Sequence, residues 1–392
     1  MKILHICLGC FYIDNYSYQE NMLPKFHKEL GYEVEIIAST LSFDNTGKAC
    51  NVAPRKYTNE YGIPVTRLEY AKMLPNSVGK FLRIYSGFYE ALNTAKPDII
   101  FVHGCQFLDI RHIVKYAKNN GVRIYVDNHA DFSNSARNWL SRNILHRGIW
   151  KFCAQLILPY TKKFYGVLPA RVEFLKKVYK IPKNKVELLV MGADDSLVKK
   201  YSTIENKKAF RKLYNIAEDE FLIVTGGKID REKWQVINLI KAVENLDEKK
   251  IKLIIFGTIV ENMKKRILSS CDGERIRYIG WLNNEDVYKC LAASNLAIYP
   301  GRHSVLWEQT VGLGIPLVVK YWEGTTHIDM GGNVTFIFDD TEEELKEKIM
   351  KIYEPSTYKK IIESAQKNAT KFLYSSIAKR SIEYPLKYRS DT

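Results

Sequence analysis

The chain has 392 residues, of which 46% are hydrophobic and 26% charged, a composition that excludes a disordered protein. This length exceeds what one hydrophobic core usually supports, so we expect two domains. The formal net charge of +15 predicts an anionic partner, which could be a phosphate-bearing substrate, an acidic membrane surface or a nucleic acid. Seven scattered cysteines, an odd number, argue against a disulfide scaffold and for a reducing compartment.

The N-terminus runs directly into an apolar strand predicted at residues 3–8, which leaves no room for a secretory signal. No apolar run approaches the length of a membrane span. We therefore expect a cytoplasmic protein, and docking on the inner face of the cell membrane stays open.

The first strand, a helix at 18–30 and a strand at 33–38 form a predicted βαβ unit. Gly9 permits a tight turn after the first strand and is a candidate donor-binding residue. The loop at 10–21 is rich in aromatic and amide side chains, including Tyr16 and Tyr18. Loops at the carboxyl ends of parallel strands border the ligand crevice, so these tyrosines are candidate acceptor contacts. The alternative is a solvated loop whose tyrosines pack locally.

Two further strands, predicted at 99–103 and 123–126, end at the same edge of the sheet. His103 ends the first of them, and Asn128 and His129 follow the second. This position makes His103 and Asn128 candidate acceptor-binding residues and His129 a candidate catalytic residue. A structural hydrogen bond is the alternative for either histidine.

Residues 135–163 are predicted to form a long helical stretch in which basic and apolar residues alternate at helical spacing. Arg142 and Arg147 represent the basic set, and Trp139 and Ile144 the apolar one. The pattern suits the headgroup region of an acidic membrane. It also suits a helix that buries its apolar face on the sheet, so both interpretations stay open.

From residue 194 onward, strands and helices alternate again, which predicts a second doubly wound sheet. After its first strand, at 221–225, come Gly226, Gly227 and Lys228, and Lys233 just precedes a helix predicted to begin at Trp234. A glycine turn that leads into a helix can hold an anion. The lysines are therefore predicted to contact a diphosphate, with solvated surface lysines as the alternative.

A second turn of this kind lies at residues 300–320. Ser304 is a predicted N-cap that leaves the Val305 and Leu306 N–H groups free for phosphate oxygens, and Glu308, one turn further, could reach ribose hydroxyls. Two such turns in one domain predict a nucleotide-diphosphate gripped from two sides.

These residues, in this order, resemble family 4 glycosyltransferases of the GT-B architecture, whose donor site carries a basic pair and then a Glu-rich helix ending in Gly-x-Pro. The positions that carry the resemblance are Gly226, Gly227, Lys228, Lys233, Glu308, Gln309, Gly314 and Pro316. It implies an α/β fold of two Rossmann-like doubly wound domains facing each other across a cleft. Residues 1–193 would bind the acceptor, residues 194–374 would bind the nucleotide sugar, and a C-terminal helix at 375–392 would pack back on the first domain.

The resemblance also implies roles for individual residues. His129 would touch the donor sugar near the reacting carbon, Lys228 and Lys233 would stabilise the leaving diphosphate, and Gly280 to Leu282 would bind the base. The family usually has two glutamates, the second seven residues before the proline. Gln309 holds that second place and Gly301 the first, so either Glu308 or Gln309 would serve as the second glutamate.

We therefore predict transfer of a hexose-type sugar from a UDP- or GDP-type donor to a saccharide or polyprenyl-linked acceptor in bacterial surface polysaccharide biosynthesis. The resemblance implies a retaining reaction. No DxD motif supplies a metal ligand set, so no metal or other cofactor is expected, and no nucleic-acid-binding motif is present. Two alternatives stay open. One is a sugar-nucleotide 2-epimerase, with Glu20, Asp127 and Asp131 as its candidate acid and base; the other is a non-enzymatic basic protein that binds an anionic polymer or membrane.

Overall fold

The computed structural model describes residues 1–43, 48–71 and 76–382. The chain divides into two compact units, Met1–Val190 together with a C-terminal segment from Ile377, and Met191–Ser376. The boundaries predicted from the sequence, at 193/194 and 374/375, lie within three residues of this division. Residues 383–392 of the predicted C-terminal helix lie outside the described residues, and the acceptor and donor roles of the two domains stay predictions.

The first unit is built on an eight-stranded sheet in the order β10-β9-β8-β7-β1-β2-β6-β5, in which β5 alone runs antiparallel to its neighbour. A separate hairpin joins β3 and β4. The strands are β1 (Lys2–Cys7), β2 (Glu33–Ser39), β3 (Leu41–Phe43), β4 (Ala49–Asn51), β5 (Arg55–Thr58), β6 (Pro64–Leu68), β7 (Ile99–His103), β8 (Arg123–Asn128), β9 (Thr161–Gly166) and β10 (Val186–Leu188).

Helices cover this sheet, and the central strands are buried on both faces, as their nearly continuous apolar sequences require in a parallel sheet. The helices are α1 (Gln19–Glu29), α2 (Asn76–Leu82), α3 (Phe88–Ala95), α4 (Ile110–Asn120), a π-helix (Ser141–Trp150), α5 (Lys151–Ile157) and α6 (Pro169–Lys177).

The second unit has a six-stranded parallel sheet in the order β13-β12-β11-β14-β15-β16, which is the 3-2-1-4-5-6 order of a Rossmann fold. Its core lies between this sheet and the flanking helices. The strands are β11 (Phe221–Ile229), β12 (Ile251–Ile259), β13 (Ile276–Tyr278), β14 (Leu296–Tyr299), β15 (Leu317–Lys320) and β16 (Val334–Ile337).

The helices of the second unit alternate with its strands, and the last helix, α15, contributes its residues from Ile377 to the first unit. They are α7 (Asp195–Tyr201), α8 (Ile204–Leu213), α9 (Val236–Glu244), α10 (Glu261–Leu268), α11 (Asn284–Ala293), α12 (Leu306–Gly312), α13 (Glu342–Tyr353), α14 (Pro355–Asn368) and α15 (Tyr374–Ile382). The prediction of an α/β fold with two Rossmann-like doubly wound domains is confirmed, and their placement across a cleft stays a prediction.

The single helix predicted at residues 135–163 was wrong in its length and continuity. The π-helix and α5 are followed by a 3-10 turn at Leu158–Tyr160, and β9 begins at Thr161. Pro159 lies in this turn, where its fixed φ is compatible with a helix start but ends regular helical hydrogen bonding. Among the described residues, no helix is both long and apolar enough to cross a membrane.

The first glycine turn of the second unit also differs from its prediction. Strand β11 does not end at Thr225 but continues through Gly226 and Gly227, because Gly227 pairs with Gly257 of β12 and neither has a side chain to clash. A 3-10 turn at Arg231–Lys233 follows, and helix α9 begins only at Val236. The two glycines therefore lie in a strand, not in a loop.

Candidate active site

In each unit, the strand order reverses beside the first strand, and ligands of open α/β sheets bind outside the strand ends at that switch point. In the first unit the reversal lies between β1 and β7. A Cβ atom on Gly9 would lie only 2.4 Å from the carbonyl oxygen of Gly104, so the two strand exits touch backbone to backbone. Gly9 thus has a packing reason to be glycine, and its contact with a donor stays a prediction.

His129 lies at this edge, just beyond β8, and is the accessible member of a cluster of titratable groups. Its side chain is 28% exposed, and its Nε2 lies 3.4 Å from Oδ2 of Asp127 and 3.9 Å from Oε1 of Glu20. Two carboxylates therefore flank one imidazole. This arrangement orients the ring between Asp127 and Glu20.

Behind His129, a chain of buried histidines extends into the sheet. His103 Nδ1 lies 2.8 Å from Oδ2 of Asp127, and its Nε2 lies 2.9 Å from Nδ1 of His5. Nε2 of His5 lies in turn 3.0 Å from Nδ1 of His27. Nε2 of His27 ends the chain against helix α15, 3.1 Å from the carbonyl oxygen of Ala378.

The pKa values of the histidines in this chain shift in opposite directions: that of His103, beside Asp127, is raised, and those of His5 and His27 are lowered. Burial opposes a charge on His103, but Asp127 outweighs it and raises the pKa of His103 to about 9. Burial likewise opposes ionisation of Asp127, yet His103 and His129 hold its pKa well below the usual range. Burial lowers the pKa of His5, and it lowers that of His27 to about 3.

A doubly protonated His103 gives every link of the chain one proton. Its Nδ1–H donates to Asp127 and its Nε2–H donates to His5. The Nε2–H of His5 then donates to His27, whose own Nε2–H donates to the Ala378 carbonyl. Because the pKa of His103 is raised to about 9, this pattern places one buried positive charge on the chain at neutral pH, beside the carboxylate of Asp127.

The predicted acceptor-binding residues fall into two groups. Tyr16 and Tyr18 are 38% and 41% exposed, with their ring centroids 5.2 Å apart, and they remain candidate contacts. His103 and Asn128 are completely buried. Asn128 donates to the carbonyl of Ala130 and accepts from Gln106, so both buried residues hold the strand ends in place, and their burial gives no support to a direct acceptor contact.

In the second unit the switch point lies between β11 and β14, and Lys233 occupies it. Its Nζ lies 3.5 Å from the position that a Cβ on Gly227 would take, so the ammonium group packs directly over this glycine. Gly227 has a φ of 101°, which favours glycine. Burial lowers the pKa of Lys233, with Asp230 opposing the shift. Lys228 is exposed on the same strand end.

The loop after β14 packs directly on Lys233. A Cβ on Gly301 would lie 2.9 Å from Cα of Lys233, and Arg302 forms an ion pair with Glu232 in the 3-10 turn. The two turns predicted to grip a diphosphate are therefore in contact. The glycine at the place of the family's first glutamate is explained by this contact.

The predicted N-cap role of Ser304 was wrong. Helix α12 starts at Leu306, the residue before it is Val305 in an αR conformation, and no side chain caps the helix. The Ser304 carbonyl instead accepts from the N–H of Trp307 at 3.0 Å, and the Ser304 hydroxyl has no partner among the described residues. Phosphate contact through Ser304 and Val305 stays a prediction.

Glu308 is fully buried between two histidines. Its Oε1 lies 2.8 Å from Nε2 of His303 and 2.8 Å from Nε2 of His327. Burial opposes its ionisation, but His303 and His327 outweigh this and hold the pKa of Glu308 well below the usual range. Gln309, also buried, contacts the hydroxyl of Tyr288. Neither residue is exposed, and the choice between them as the ribose contact stays open.

The predicted base-binding residues follow β13. Gly280 has a φ of 79°, and its carbonyl accepts from the N–H of Gly257 at 2.7 Å. Leu282 is half-buried, and between them Trp281 is 69% exposed. The sequence reasoning missed this tryptophan, although an aromatic residue directly after a strand-end glycine was a usable signal.

Two cavities open on the second unit. One of about 450 Å³ lies at the amino ends of the strands, beside Lys252 and Arg275, away from the switch point. The other, of about 370 Å³, borders the 3-10 turn that carries Lys233 and is lined partly by Arg231, Trp234 and Arg266. The second cavity is the one next to the candidate site.

The sequence reasoning also missed four histidines: His5 and His27 in the chain behind His129, and His303 and His327 around Glu308. His5 and His27 lie inside a predicted strand and a predicted helix, where a histidine gives no sign of its partners. His303 lies in the second glycine turn, at residues 300–320, and the spacing His303-x4-Glu308 was a signal for contact between these two residues.

Residues 206–368 match the family model described as "Glycosyl transferases group 1". This segment lies within the second unit and covers less than half of the chain. It contains the 3-10 turn with Lys233, the loop after β14 and helix α12. The predicted enzyme class, a glycosyltransferase, is confirmed by this match. No curated protein matches the sequence.

Solved structures similar to this chain include Anabaena Alr3699/HepE in complex with UDP, with a TM-score of 0.66 at 15% identity over 97% of this chain and 98% of that one. WaaG, a glycosyltransferase involved in lipopolysaccharide biosynthesis, has a TM-score of 0.63 at 16% identity over 96% and 98%. UDP-GlcNAc 2-epimerase from Neisseria meningitidis has 0.60 at 14% identity over 97% and 99%. At these identities the likeness shows the fold, and the predicted GT-B class is confirmed.

Proposed function

We propose that this protein transfers a hexose-type sugar from a nucleotide-diphosphate sugar to a saccharide or polyprenyl-linked acceptor. The observation that carries the proposal is the position of Lys233, half-buried over Gly227 at the switch point of a glycosyl transferases group 1 domain. A partly desolvated ammonium group at that point stabilises a diphosphate more strongly than one in open solvent. The similar Anabaena structure holds UDP, which supports a UDP-type donor over a GDP-type one.

In this proposal the lysines act on the leaving group. Negative charge builds on the diphosphate as the glycosidic bond breaks, and Lys233 and Lys228 stabilise it. The main-chain groups of Gly280 and Leu282 bind the base. Because the two lysines supply the positive charge, we propose that the diphosphate needs no bridging metal ion, and the family resemblance adds retention of the anomeric configuration.

The proposed role of His129 is contact with the donor sugar near the reacting carbon. Its partial exposure leaves the ring accessible, and Asp127 and Glu20 lie beside its Nε2 atom. An imidazole N–H donates a hydrogen bond and so stabilises negative charge on a nearby oxygen atom. The buried charge on His103 keeps Asp127 ionised and therefore keeps this orientation fixed.

The acceptor and pathway are proposed from the resemblance and from the similarity to WaaG, a glycosyltransferase involved in lipopolysaccharide biosynthesis. A lipid-linked acceptor would bring the enzyme to a membrane. The π-helix and its flanks carry the matching surface: Trp139 is 71% exposed, Leu140 52% and Phe152 57%, with exposed arginines between them. Exposed aromatic and basic residues side by side suit the headgroup region of an anionic bilayer.

Sedimentation with vesicles tests this surface. We expect binding to vesicles that contain phosphatidylglycerol, weak binding to pure phosphatidylcholine vesicles, and a loss of binding for Trp139→Ala. Trp281→Ala is the matched control, because Trp281 is 69% exposed but lies in the second unit. Equal sedimentation of Trp139→Ala and wild type would remove the membrane proposal and leave a saccharide acceptor in solution.

The 2-epimerase alternative needs a carboxylic acid that can donate a proton at neutral pH. Asp127 and Asp131 both have a lowered pKa: burial opposes the shift in each, but His103 and His129 outweigh it at Asp127, and Ser133 and Arg171 outweigh it at Asp131. Glu20 pairs with His129 at 3.9 Å. These carboxylates are arranged as hydrogen-bond acceptors, which favours glycosyl transfer over epimerisation.

Calorimetry with UDP, GDP and ADP in the presence of EDTA tests the donor site. We expect UDP to bind wild type and Lys233→Ala to bind it about 10- to 100-fold more weakly, since one charge-assisted hydrogen bond contributes about 1.5–3 kcal/mol. Lys241→Ala, a change of an exposed lysine on α9, is the control and should bind as wild type does. Failure of all three nucleotides to bind would contradict the proposal and favour the non-enzymatic alternative.

A further inference from the structure

His303, Glu308 and His327 converge from three separate elements of the second unit. His303 lies in the loop after β14, Glu308 on helix α12, and His327 in a 3-10 turn at Thr326–Ile328 that follows β15. Both imidazole Nε2 atoms lie 2.8 Å from the same oxygen, Oε1 of Glu308. The three atoms lie within 4.8 Å of one another, so one small ion between them could contact all three.

Hydrogen bonds alone leave this cluster poorly satisfied. Two rings would donate to one carboxylate oxygen, while the other oxygen, Oε2, is buried and has no partner among the described residues. Nδ1 of His327 is likewise buried and without a partner among the described residues. Buried polar atoms nearly always have a partner, and an ion is one of the standard reasons for an apparent exception.

We propose that His303, Glu308 and His327 form a binding site for one divalent transition-metal ion of the zinc class. Two imidazoles and one carboxylate are a ligand set that zinc and iron use in proteins, whereas Mg²⁺ and Ca²⁺ prefer oxygen ligands throughout. Metal bonds of about 2.1 Å at the tetrahedral angle place two ligand atoms about 3.4 Å apart, so each of the two 2.8 Å separations would widen by about 0.6 Å to admit the ion.

The burial of the three side chains and the elements that carry them indicate a structural role for the ion. The side chains of Glu308 and His327 are 0% and 1% exposed and that of His303 is 10% exposed, so entry is from the His303 side. The ion would join the loop after β14 to helix α12 and to the exit of β15. That loop also carries Gly301, on which Lys233 packs, so the ion would fix the loop beside the proposed diphosphate contact.

Zinc titration of EDTA-treated, dialysed protein tests the site. Calorimetry should show one Zn²⁺ per chain with a Kd below about 1 µM, and Co²⁺ should give visible absorption bands typical of nitrogen and oxygen ligands. His327→Ala and Glu308→Gln should each weaken zinc binding by at least about 10- to 100-fold. Zinc should also raise the melting temperature of wild type but not that of either variant.

His112→Ala is the matched control, because His112 is a partly exposed histidine of the first unit that pairs with Asp109. It should bind zinc as wild type does. The inference is overturned if folded wild type binds no zinc, or if His327→Ala and Glu308→Gln bind it as tightly as wild type. Absence of zinc binding is measured on wild type alone, so the test remains valid even if a variant does not fold.

This inference does not rest on the proposed function, and the two can fail separately. UDP binding by metal-free protein together with absent zinc binding would remove only the metal site. Zinc binding together with failure of UDP, GDP and ADP would remove only the donor site.

Discussion

Each unit places a carboxylate between two histidines, yet the two clusters differ in what lies behind them. In the first unit, Oδ2 of Asp127 lies 2.8 Å from His103 and 3.4 Å from His129. In the second, Oε1 of Glu308 lies 2.8 Å from both His303 and His327. His103 continues into a chain of hydrogen-bonded rings, whereas Nδ1 of His327 has no partner among the described residues.

The difference shows how the second nitrogen of a histidine determines what a His–carboxylate pair can do. Nε2 of His103 faces the ring of His5, so a proton on Nε2 can be donated to His5. His103 and Asp127 then form a buried ion pair, and Asp127 orients His129. Within the described part of the chain, the cluster around Glu308 has no such continuation, and its unsatisfied atoms point to an added cation. The same residue types therefore lead to different chemistry in the two clusters. Substitutions in each unit test its cluster separately.

The largest expected effect is on the first cluster. His103→Ala leaves Asp127 buried without its main counter-charge, and removing one partner of a buried pair costs about 3–5 kcal/mol of unfolding free energy. Urea denaturation should show this loss, whereas His112→Ala should stay within about 0.5 kcal/mol of wild type. A loss below about 1 kcal/mol for His103→Ala would mean that the chain carries no buried charge.

The second effect is the pH dependence of the same cluster. The pKa of His103 is raised from 6.5 to about 9, so its protonation stabilises the folded state fully below pH 6.5 and this contribution is lost as the pH rises through about 9. His27, with its pKa lowered to about 3, acts in the opposite direction and costs stability below pH 6.5.

Urea denaturation of wild type from pH 6 to pH 10 should show the alkaline loss, and His103→Gln should flatten this part of the curve. Cys7 and Glu20 also face His103 and both favour its charge, so they shift the midpoint and leave the sign unchanged. A wild-type curve parallel to that of His103→Gln would contradict the assignment of the proton to His103.

The smallest effect concerns the second unit. Gly301→Ala puts a Cβ atom 2.9 Å from Cα of Lys233, and such overpacking costs about 1–3 kcal/mol. We expect lower stability together with weaker UDP binding, because the substitution moves Lys233. Gly148→Ala is the control, since a Cβ there would lie 3.8 Å from its nearest neighbour, the carbonyl oxygen of Asn143, which is an ordinary van der Waals contact. Unchanged UDP binding by Gly301→Ala would separate the loop after β14 from the donor site.

The sequence predicted best those features that depend on residues close together in the chain. Alternating apolar strands and helices predicted both sheets, and the glycine-lysine order singled out Lys233, which the fold places at the switch point of the second sheet. The extension of β11 through Gly227 was missed because it depends on Gly257, a residue of another strand. Ser304 was predicted as an N-cap from its residue type, but the helix starts at Leu306 and the residue before it is Val305.

The histidine contacts could not be predicted for a related reason. His5 and His103 meet because β1 and β7 are neighbours in the sheet, although 98 residues separate them in the chain. His327 reaches Glu308 across the exit of β15. Partners of buried polar residues depend on strand order and register, which composition and spacing leave open.

The most direct test of the central claim is turnover of a panel of nucleotide sugars, measured as release of the nucleoside diphosphate, with and without a membrane extract as the source of acceptor. We predict that wild type releases the diphosphate from one UDP-type sugar, faster with the extract, and that Lys233→Ala and His129→Ala lose most of this rate while Lys241→Ala retains it. No release from any nucleotide sugar by folded wild type, or equal rates in all four proteins, would contradict the account.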